Sequence, residues 1–517
     1  MYNASFSYLN QNAILPGYRF KRYNALLNYT LDITKWITLG TIVNLTYKYD
    51  KKPPMHDVFL PLYITTANPL NEAYLPDGSG RVVSQAYRGE PRQRNPAEIY
   101  LMGNYYSREN NLNGQAYIDL KPFKGLTWTT KFAVDYMDRF FKTHQEAYTT
   151  NYLHFMSGGD HVTSPGEVDK PGVTDDYLKE NTPTLYSVVN YQTKLGENHD
   201  FSALAGYEQI SFRRQALRVN RPYSAFPRLE ELQAYSPSDQ SLFPSDAGKR
   251  LPAYIDPEEW AMQSLFGRIN YSYKNKYLFE ANLRYDGTSK VSPGYRWGLF
   301  PSVSAGWVVS EEGFLKDYSG WLSHLKLRAS YGVLGNQDIG TYLYQNNIEV
   351  DGVYYAFDER SLSQGGVIRQ FKDQSLQWET TRIIDLGLDL DIKNGLLGVV
   401  FDWYDKNTYD ILADQPVPKS MGFEDDPKGN NGKMRNWGFE LELTHRHHIG
   451  ELYYDAFFNF GKYKNELVYI DATEITSGKI RKIGQPYNSY YMYTKEGIFQ
   501  IADSISGDYP VHLANPF

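Results

Sequence analysis

The chain has no cysteine among its 517 residues. Disulfide scaffolds and thiolate metal sites are therefore excluded, while the redox compartment stays open. It also lacks any run of about 18 apolar residues, so it offers no transmembrane helix. Cationic excess is missing too, since 53 Lys and Arg stand against 60 Asp and Glu, a formal net charge of −7. That balance is unlike the basic footprint of a nucleic-acid binder, and no nucleic acid is expected as a partner. No Gly-rich phosphate loop and no zinc-protease helix motif occurs, so neither catalysis nor a cofactor is implied. The segment Met1–Leu9 has no charged and apolar leader, and already alternates like a strand. An exported protein would need its start upstream, and that is the expectation.

What the chain has in abundance is aromatic: 16% of its residues, with 46 Tyr. Such side chains suit strands and membrane interfaces, where an apolar ring carries a polar tip. Mean hydropathy is −0.55. A transmembrane β-barrel is compatible with that value, because only alternate residues face lipid.

The dominant pattern is alternation with period two. Tyr277, Phe279, Ala281, Leu283 and Tyr285 interleave with Glu280, Asn282, Arg284 and Asp286. Ile384, Leu386, Leu388 and Leu390 interleave with Asp385, Gly387, Asp389 and Asp391. Leu325–Tyr331 and Trp437–Leu443 repeat the pattern. Successive strand residues point to opposite faces, so each segment has one apolar and one polar face. Roughly sixteen such segments are expected. Leu283 and Leu388 should face lipid, with Arg284 and Asp389 inside.

Short turns are expected at Thr34–Lys35, Pro122–Gly125, Gly196–His199, Lys274–Lys276, Lys393–Gly395 and His448–Gly450. Long polar connections fall near 50–99, 143–181, 216–259, 336–375, 412–434 and 468–486, and the stretch Glu311–Ser323 is intermediate. Tight turns on one side and long loops on the other are the habit of outer-membrane barrels. A soluble propeller would repeat at a fixed period of about 40–50 residues, and no such repeat is present.

Few residues suggest chemistry. Asp385, Asp389, Asp391, Glu440 and Glu442 sit on polar strand faces and read as a solvated lining rather than as general acids. His445 and His447 share a strand face and could ligate a metal, but strand closure at the water interface explains them better, and no metal site is expected. Asn28-Tyr29-Thr30 and Asn270-Tyr271-Ser272 are chance matches to a glycosylation triplet within alternating strands. The aromatic loop at Asp351–Phe357 is the best candidate for substrate contact, through Tyr354, Tyr355 and Phe357. Aromatic rings give contact area at low entropic cost, although packing within the loop would also account for them.

Several blocks resemble a known family. Arg284-Tyr285-Asp286-Gly287-Thr288-Ser289 is followed by Trp297-Gly298-Leu299-Phe300-Pro301-Ser302, Ser310–Phe314, Leu325–Gly332 and Gly335-Asn336-Gln337. Then come Leu376–Thr381, Leu386-Gly387-Leu388-Asp389, Tyr404-Asp405-Lys406, Thr408–Leu412 and Asn436–Leu441. In order and spacing over about 200 residues they resemble the central barrel of SusC/RagA-type TonB-dependent transporters. The resemblance implies a 22-stranded antiparallel up-and-down β-barrel in the outer membrane, holding an N-terminal plug. It implies import of oligosaccharides, glycans or peptides, a SusD-like surface lipoprotein as lid, and energy from TonB–ExbB–ExbD acting on the plug. Against that pattern, residues 1–517 are expected to be a single partial barrel domain without plug or closing strands, and not a working importer alone. Tyr2–Leu9 and Tyr487–Phe499 would then be unpaired edges. The alternative is a non-membrane, surface glycan-binding β-protein, and a third possibility is a secreted β-rich glycosidase. An apolar outward band would favour the barrel, and a compact apolar interior the others.

Overall fold

A computed structural model describes residues 1–15, 17–53, 64–65, 74, 85–86, 97, 103–145, 149–155, 161–168, 172–222, 257–318, 320–348, 350, 353–357, 362–423 and 426–493. The chain divides into two compact units, Met1–Ala305 with Gln337–Tyr342, and Gly306–Asn336 with Leu343–Phe517.

The first unit holds a meander in which strands neighbour one another in sequence order. Its members are β1 (Tyr2–Asn12), β2 (Arg19–Thr34), β3 (Ile37–Lys52), β4 (Gly103–Leu120) and β5 (Leu126–Gln145). β6 (Gly172–Leu195), β7 (His199–Pro222), β8 (Glu258–Tyr273), β9 (Tyr277–Thr288) and β10 (Trp297–Val308) follow, with β10 in this unit as far as Ala305. The second unit continues the habit with β11 (Leu322–Asn336), β12 (Glu379–Ile392), β13 (Leu397–Asp414), β14 (Lys428–Ile449) and β15 (Leu452–Tyr469). Every register recorded between these strands is antiparallel. Fifteen long strands are thus described, where the sequence suggested roughly sixteen segments.

The tight turns fall where the sequence puts them. Lys274 and Asn275 both take positive φ, 53° and 55°, and Lys276 N–H donates to the Tyr273 carbonyl at 2.9 Å. These two successive left-handed residues close the short loop between the paired Tyr273 and Tyr277. Gly125, Gly196, Gly395 and Gly450 supply the same left-handed backbone at four other short turns.

Strands run further into the polar connections than the alternation shows. β5 extends to Gln145, β6 starts at Gly172 and β14 at Lys428. Polar residues beyond an apolar band can still pair backbone groups, so the hydrophobic pattern fades before the ladder does. The segment Tyr487–Phe499 is only partly visible. Within it Ser489–Tyr490 pairs with Lys479–Ile480 in a short three-stranded sheet, and Thr494–Phe499 lie outside the described residues. β1 stands at an edge, paired with β2 alone among the described residues.

The two faces of the sheet are unlike. In β9, Tyr277, Phe279, Leu283 and Tyr285 are exposed, Leu283 by 49%, whereas Asp286 is buried. In the second unit the registers align apolar residues in rows across five strands. One row is Leu325–Leu390–Val399–Leu443–Phe458 and the next is Leu327–Leu388–Phe401–Leu441–Phe460. Ile384 and Leu386 are among the exposed apolar residues of this face. Among the described residues the buried apolar ones are few, and Lys142, Asp175, Asp286 and Lys290 are as buried as they are. A sheet with its apolar face outward and its charges inward is inverted relative to a soluble core.

Candidate functional site

The polar face carries fixed ion pairs strung across neighbouring strands. On β11, Arg328 donates through Nε and Nη2 to both carboxylate oxygens of Asp389 at 2.9–3.1 Å. Its Nη2 also lies 2.9 Å from Asp402 Oδ1 on β13. Gly387 stands between them. A Cβ there would sit 2.5 Å from Asp402 Oδ1 and 2.6 Å from Arg328 Cζ. Glycine inside a strand marks a close approach, and here the approaching group is a guanidinium. Asp389 is therefore a bidentate partner of Arg328 on the polar face.

Similar rungs line the first unit. Arg284 donates to Asp286 at 3.1–3.2 Å, reaches Glu208 at 3.6 Å and lies over the Phe266 ring. Glu109 accepts from Lys48 and from Asn111, both at 2.7 Å. Arg214 bridges Glu180 and Glu258 at 2.8 and 2.7 Å. Tyr186 stacks on Phe266 at 5.9 Å across Gly206, where a Cβ would strike the ring at 2.5 Å. The result is a face of spaced, oriented charges and rings.

The aromatic candidates occupy a small ribbon. Tyr354–Ala356 pairs antiparallel with Leu362–Gln364. Gly365 N–H to the Val353 carbonyl (2.9 Å) and Gln364 Nε2 to the Val350 carbonyl (2.8 Å) tie its base. Tyr355 and Phe357 meet edge to face with centroids 4.9 Å apart. Tyr354, one residue out of phase, is exposed without joining that pair. Phe357 is 80% exposed, so the paired rings are offered to solvent rather than packed away.

The family blocks also acquire a physical reason. Trp297 lies flat on Tyr285, centroids 4.8 Å apart and planes 18° from parallel. A Cβ on Gly287 would meet the same indole at 2.7 Å. The block Arg284–Ser289 thus seats the Trp297 block across the hairpin.

A family model described as the β-barrel of TonB-dependent receptor-like proteins matches residues 57–495. The chain belongs to the TonB-dependent receptor β-barrel family. Within that family the quoted blocks resemble the SusC/RagA type. TonB-dependent receptor P39 of Formosa agariphila is 28% identical over 506 residues, covering 96% of this chain and 44% of that protein. TonB-dependent receptor SusC of Bacteroides thetaiotaomicron is 30% identical over 325 residues, covering 59% of this chain and 30% of that protein. The chain thus spans less than half the length of these curated relatives. The structure of the RagAB peptide transporter superposes with a TM-score of 0.73 at 21% identity, covering 96% of this chain and 53% of that one, which shows a shared fold.

The histidine cluster of this TonB-dependent receptor barrel sits at the β14–β15 turn. His445 stacks on Tyr454 at 5.5 Å, and no group of three metal-capable side chains occurs among the described residues. Sequence reasoning found the aromatic ribbon and the polar strand faces. It missed the pairing partners on those faces and the role of Gly387, although a lone glycine in an alternating strand was a readable signal of close contact.

Proposed function

We propose that this protein is the wall of an energised importer in the outer membrane, with residues 1–517 part of one barrel domain. The observation that carries the reading is the inverted sheet, with apolar rows such as Leu327–Leu388–Phe401–Leu441–Phe460, in which Leu327, Phe401 and Phe460 are exposed, backing onto charged rungs such as Arg328–Asp389. Only a lipid surround on one side and water on the other makes both faces favourable. The transported molecules are oligosaccharides, glycans or peptides, in keeping with the SusC/RagA type. A SusD-like surface lipoprotein covers the outer end, and TonB–ExbB–ExbD supplies energy through a plug. We read the chain as a transporter wall and not an enzyme; on its polar face charged side chains such as Arg328, Asp389 and Asp402 hold one another. Tyr355 and Phe357, with Tyr354 beside them, are the substrate contacts proposed within the described loops.

Deletion of the gene tests the reading. Outer-membrane fractions should contain the protein, and the deletion strain should lose growth on a defined set of glycans or peptides, restored by the full-length gene. Recovery of the protein only from soluble fractions would refute the membrane reading, and undiminished growth on every glycan and peptide offered would refute import.

A further inference from the structure

The connection that carries the aromatic ribbon leaves β11 at Asn336 and returns to the sheet at Glu379, the first residue of β12. These two residues lie opposite one another, and Asn336 Nδ2 donates to Glu379 Oε2 at 2.8 Å, which closes the neck of the loop. Beside the neck, β13 carries a bulge. Its register against β14 breaks between Thr408 and Ile411 and again between Ile411 and Leu412, and Asp410 takes a left-handed φ of 58°. A bulge leaves backbone groups outside the ladder, and such groups need partners. Side chains of the two flanking strands supply them. Leu412 N–H donates to Glu379 Oε1 of β12 at 2.8 Å, and the Asp410 carbonyl accepts from Asn430 Nδ2 of β14 at 2.7 Å. The Asp410 carboxylate accepts from Thr380 Oγ1 at 3.3 Å.

Each of these two side chains also holds the loop. Glu379 holds Asn336 at the entry, and Asn430 holds Gln377 at the exit. Gln377 N–H donates to Asn430 Oδ1 at 2.8 Å, and the Gln377 carbonyl accepts from Asn430 Nδ2 at 3.0 Å. A carboxamide has one accepting oxygen and two donor hydrogens, and with the Asp410 carbonyl this contact set uses all of them. Leu376 next to Gln377 is fully buried, and Trp378 is nearly so. From the exit the grip passes outward in steps. Lys372 N–H donates to Asn346 Oδ1 at 3.1 Å, which joins the two limbs of the loop. Phe371 meets Phe423 with centroids 5.9 Å apart, and Gln370 Nε2 donates to the Asp426 carbonyl at 2.8 Å. Beyond these lie the bonds at Val353 and Val350 that tie the base of the ribbon. Glu379 lies thirteen residues along β12 from Ile392. At about 3.4 Å per residue and about 40° of tilt that is about 34 Å, beyond an apolar band about 25 Å tall. The clamp thus stands in water on the long-loop side, where a loop hinged freely at its neck would sample many conformations.

We propose that Asn430 and Glu379 are positioning residues, which clamp the neck of this loop onto the Asp410 bulge and hold the Tyr355–Phe357 ring pair as a fixed arm before the imported molecule arrives. This role for the clamp rests on the reading of those rings as substrate contacts. Rings already in place spare the bound state the ordering of their loop, so the clamp acts on affinity and not on the maximal rate of transport.

The test uses the full-length protein, with any cysteine outside residues 1–517 replaced by serine. Nitroxides at Ser363→Cys on the ribbon and Glu442→Cys on the wall report the distance between arm and wall by pulsed electron resonance. With Asn430 in place the distance distribution should be single and narrow. Asn430→Leu, which keeps the side-chain size and removes all the clamp's amide bonds, should lose that narrow peak. Growth on the glycan or peptide whose use the deletion strain loses is the second readout. Asn430→Leu should raise the concentration giving half-maximal growth on the order of ten-fold, at the same maximal rate and the same amount of folded protein. A peak as narrow in Asn430→Leu as without it would overturn the clamp. A lost peak with an unchanged half-maximal concentration would overturn its positioning role, where alanine at Tyr354, Tyr355 and Phe357 does raise that concentration. Should the alanine variant leave the concentration unchanged too, the contact reading beneath fails and the positioning role falls with it. If Asn430→Leu does not assemble, Asn430→Ser, which leaves room for water at the freed backbone groups, carries the same two expectations.

Discussion

Placing an arginine on the apolar face or on the polar face of the sheet should give very different outcomes. Leu388 lies in the row Leu327–Leu388–Phe401–Leu441–Phe460, four residues from the strand end at Ile392. At about 3.4 Å per residue and about 40° of tilt, it sits about 10 Å into an apolar band about 25 Å tall, close to its middle. Arginine at the bilayer midplane costs about 2–4 kcal/mol, so Leu388→Arg should shift the assembly equilibrium roughly 30- to 800-fold. Asp389→Arg breaks the bidentate pair with Arg328 and sets two guanidinium groups together. That pair is partly exposed, 32% and 27% at the side chains, so its loss should cost about 1 kcal/mol. Glu442, on the polar face opposite Val400 and Asn459, is the cleaner control, and Glu442→Arg should assemble normally. The assay is the heat-dependent gel shift of folded barrel in outer-membrane fractions. The expected order of folded yield is Glu442→Arg, then Asp389→Arg, then Leu388→Arg far below. Equal yields for Leu388→Arg and Glu442→Arg would refute the argument that lipid meets this face.

Gly387→Ala should lower the heat-unfolding midpoint of the same band, because its Cβ intrudes on Asp402 and Arg328; overpacking of this kind costs about 1–3 kcal/mol. Asn275→Val forces a β-branched residue to φ 55° and should destabilise by about 1 kcal/mol, read as a lower midpoint, while Asn275→Gly should be neutral or stabilising. Alanine at Tyr354, Tyr355 and Phe357 together should weaken substrate binding, measured by titration calorimetry, without changing the amount of protein in the membrane. Tyr355→Ala or Phe357→Ala alone should cost more than Tyr354→Ala, since only those two rings pair.

Much of the wall was legible in the sequence because period-two alternation and tight turns are local properties. Tyr277–Tyr285 and Ile384–Leu390 announce their faces residue by residue, and Lys274–Asn275 announces its hairpin. What depends on register was not legible. That Arg328 meets Asp389, and that Asp402 reaches across Gly387 to join it, follows from which residues lie opposite one another on three strands. The aromatic loop was visible as composition, but the phase that pairs Tyr355 with Phe357 and leaves Tyr354 aside comes from the short ribbon they build with Leu362–Gln364.

The absence of cysteine allows the central claim to be tested without a background. Single cysteines at Phe279, Glu280, Ala281, Asn282 and Leu283 in β9 can each carry a nitroxide, in the full-length protein reconstituted into bilayers. Collision rates with oxygen, which concentrates in hydrocarbon, and with a polar nickel chelate, which stays in water, then report the surroundings of each label. A wall with lipid on one face and water on the other predicts strict alternation, with oxygen favoured at 279, 281 and 283 and the chelate at 280 and 282. Uniform values along these five positions, or the opposite phase, would contradict it.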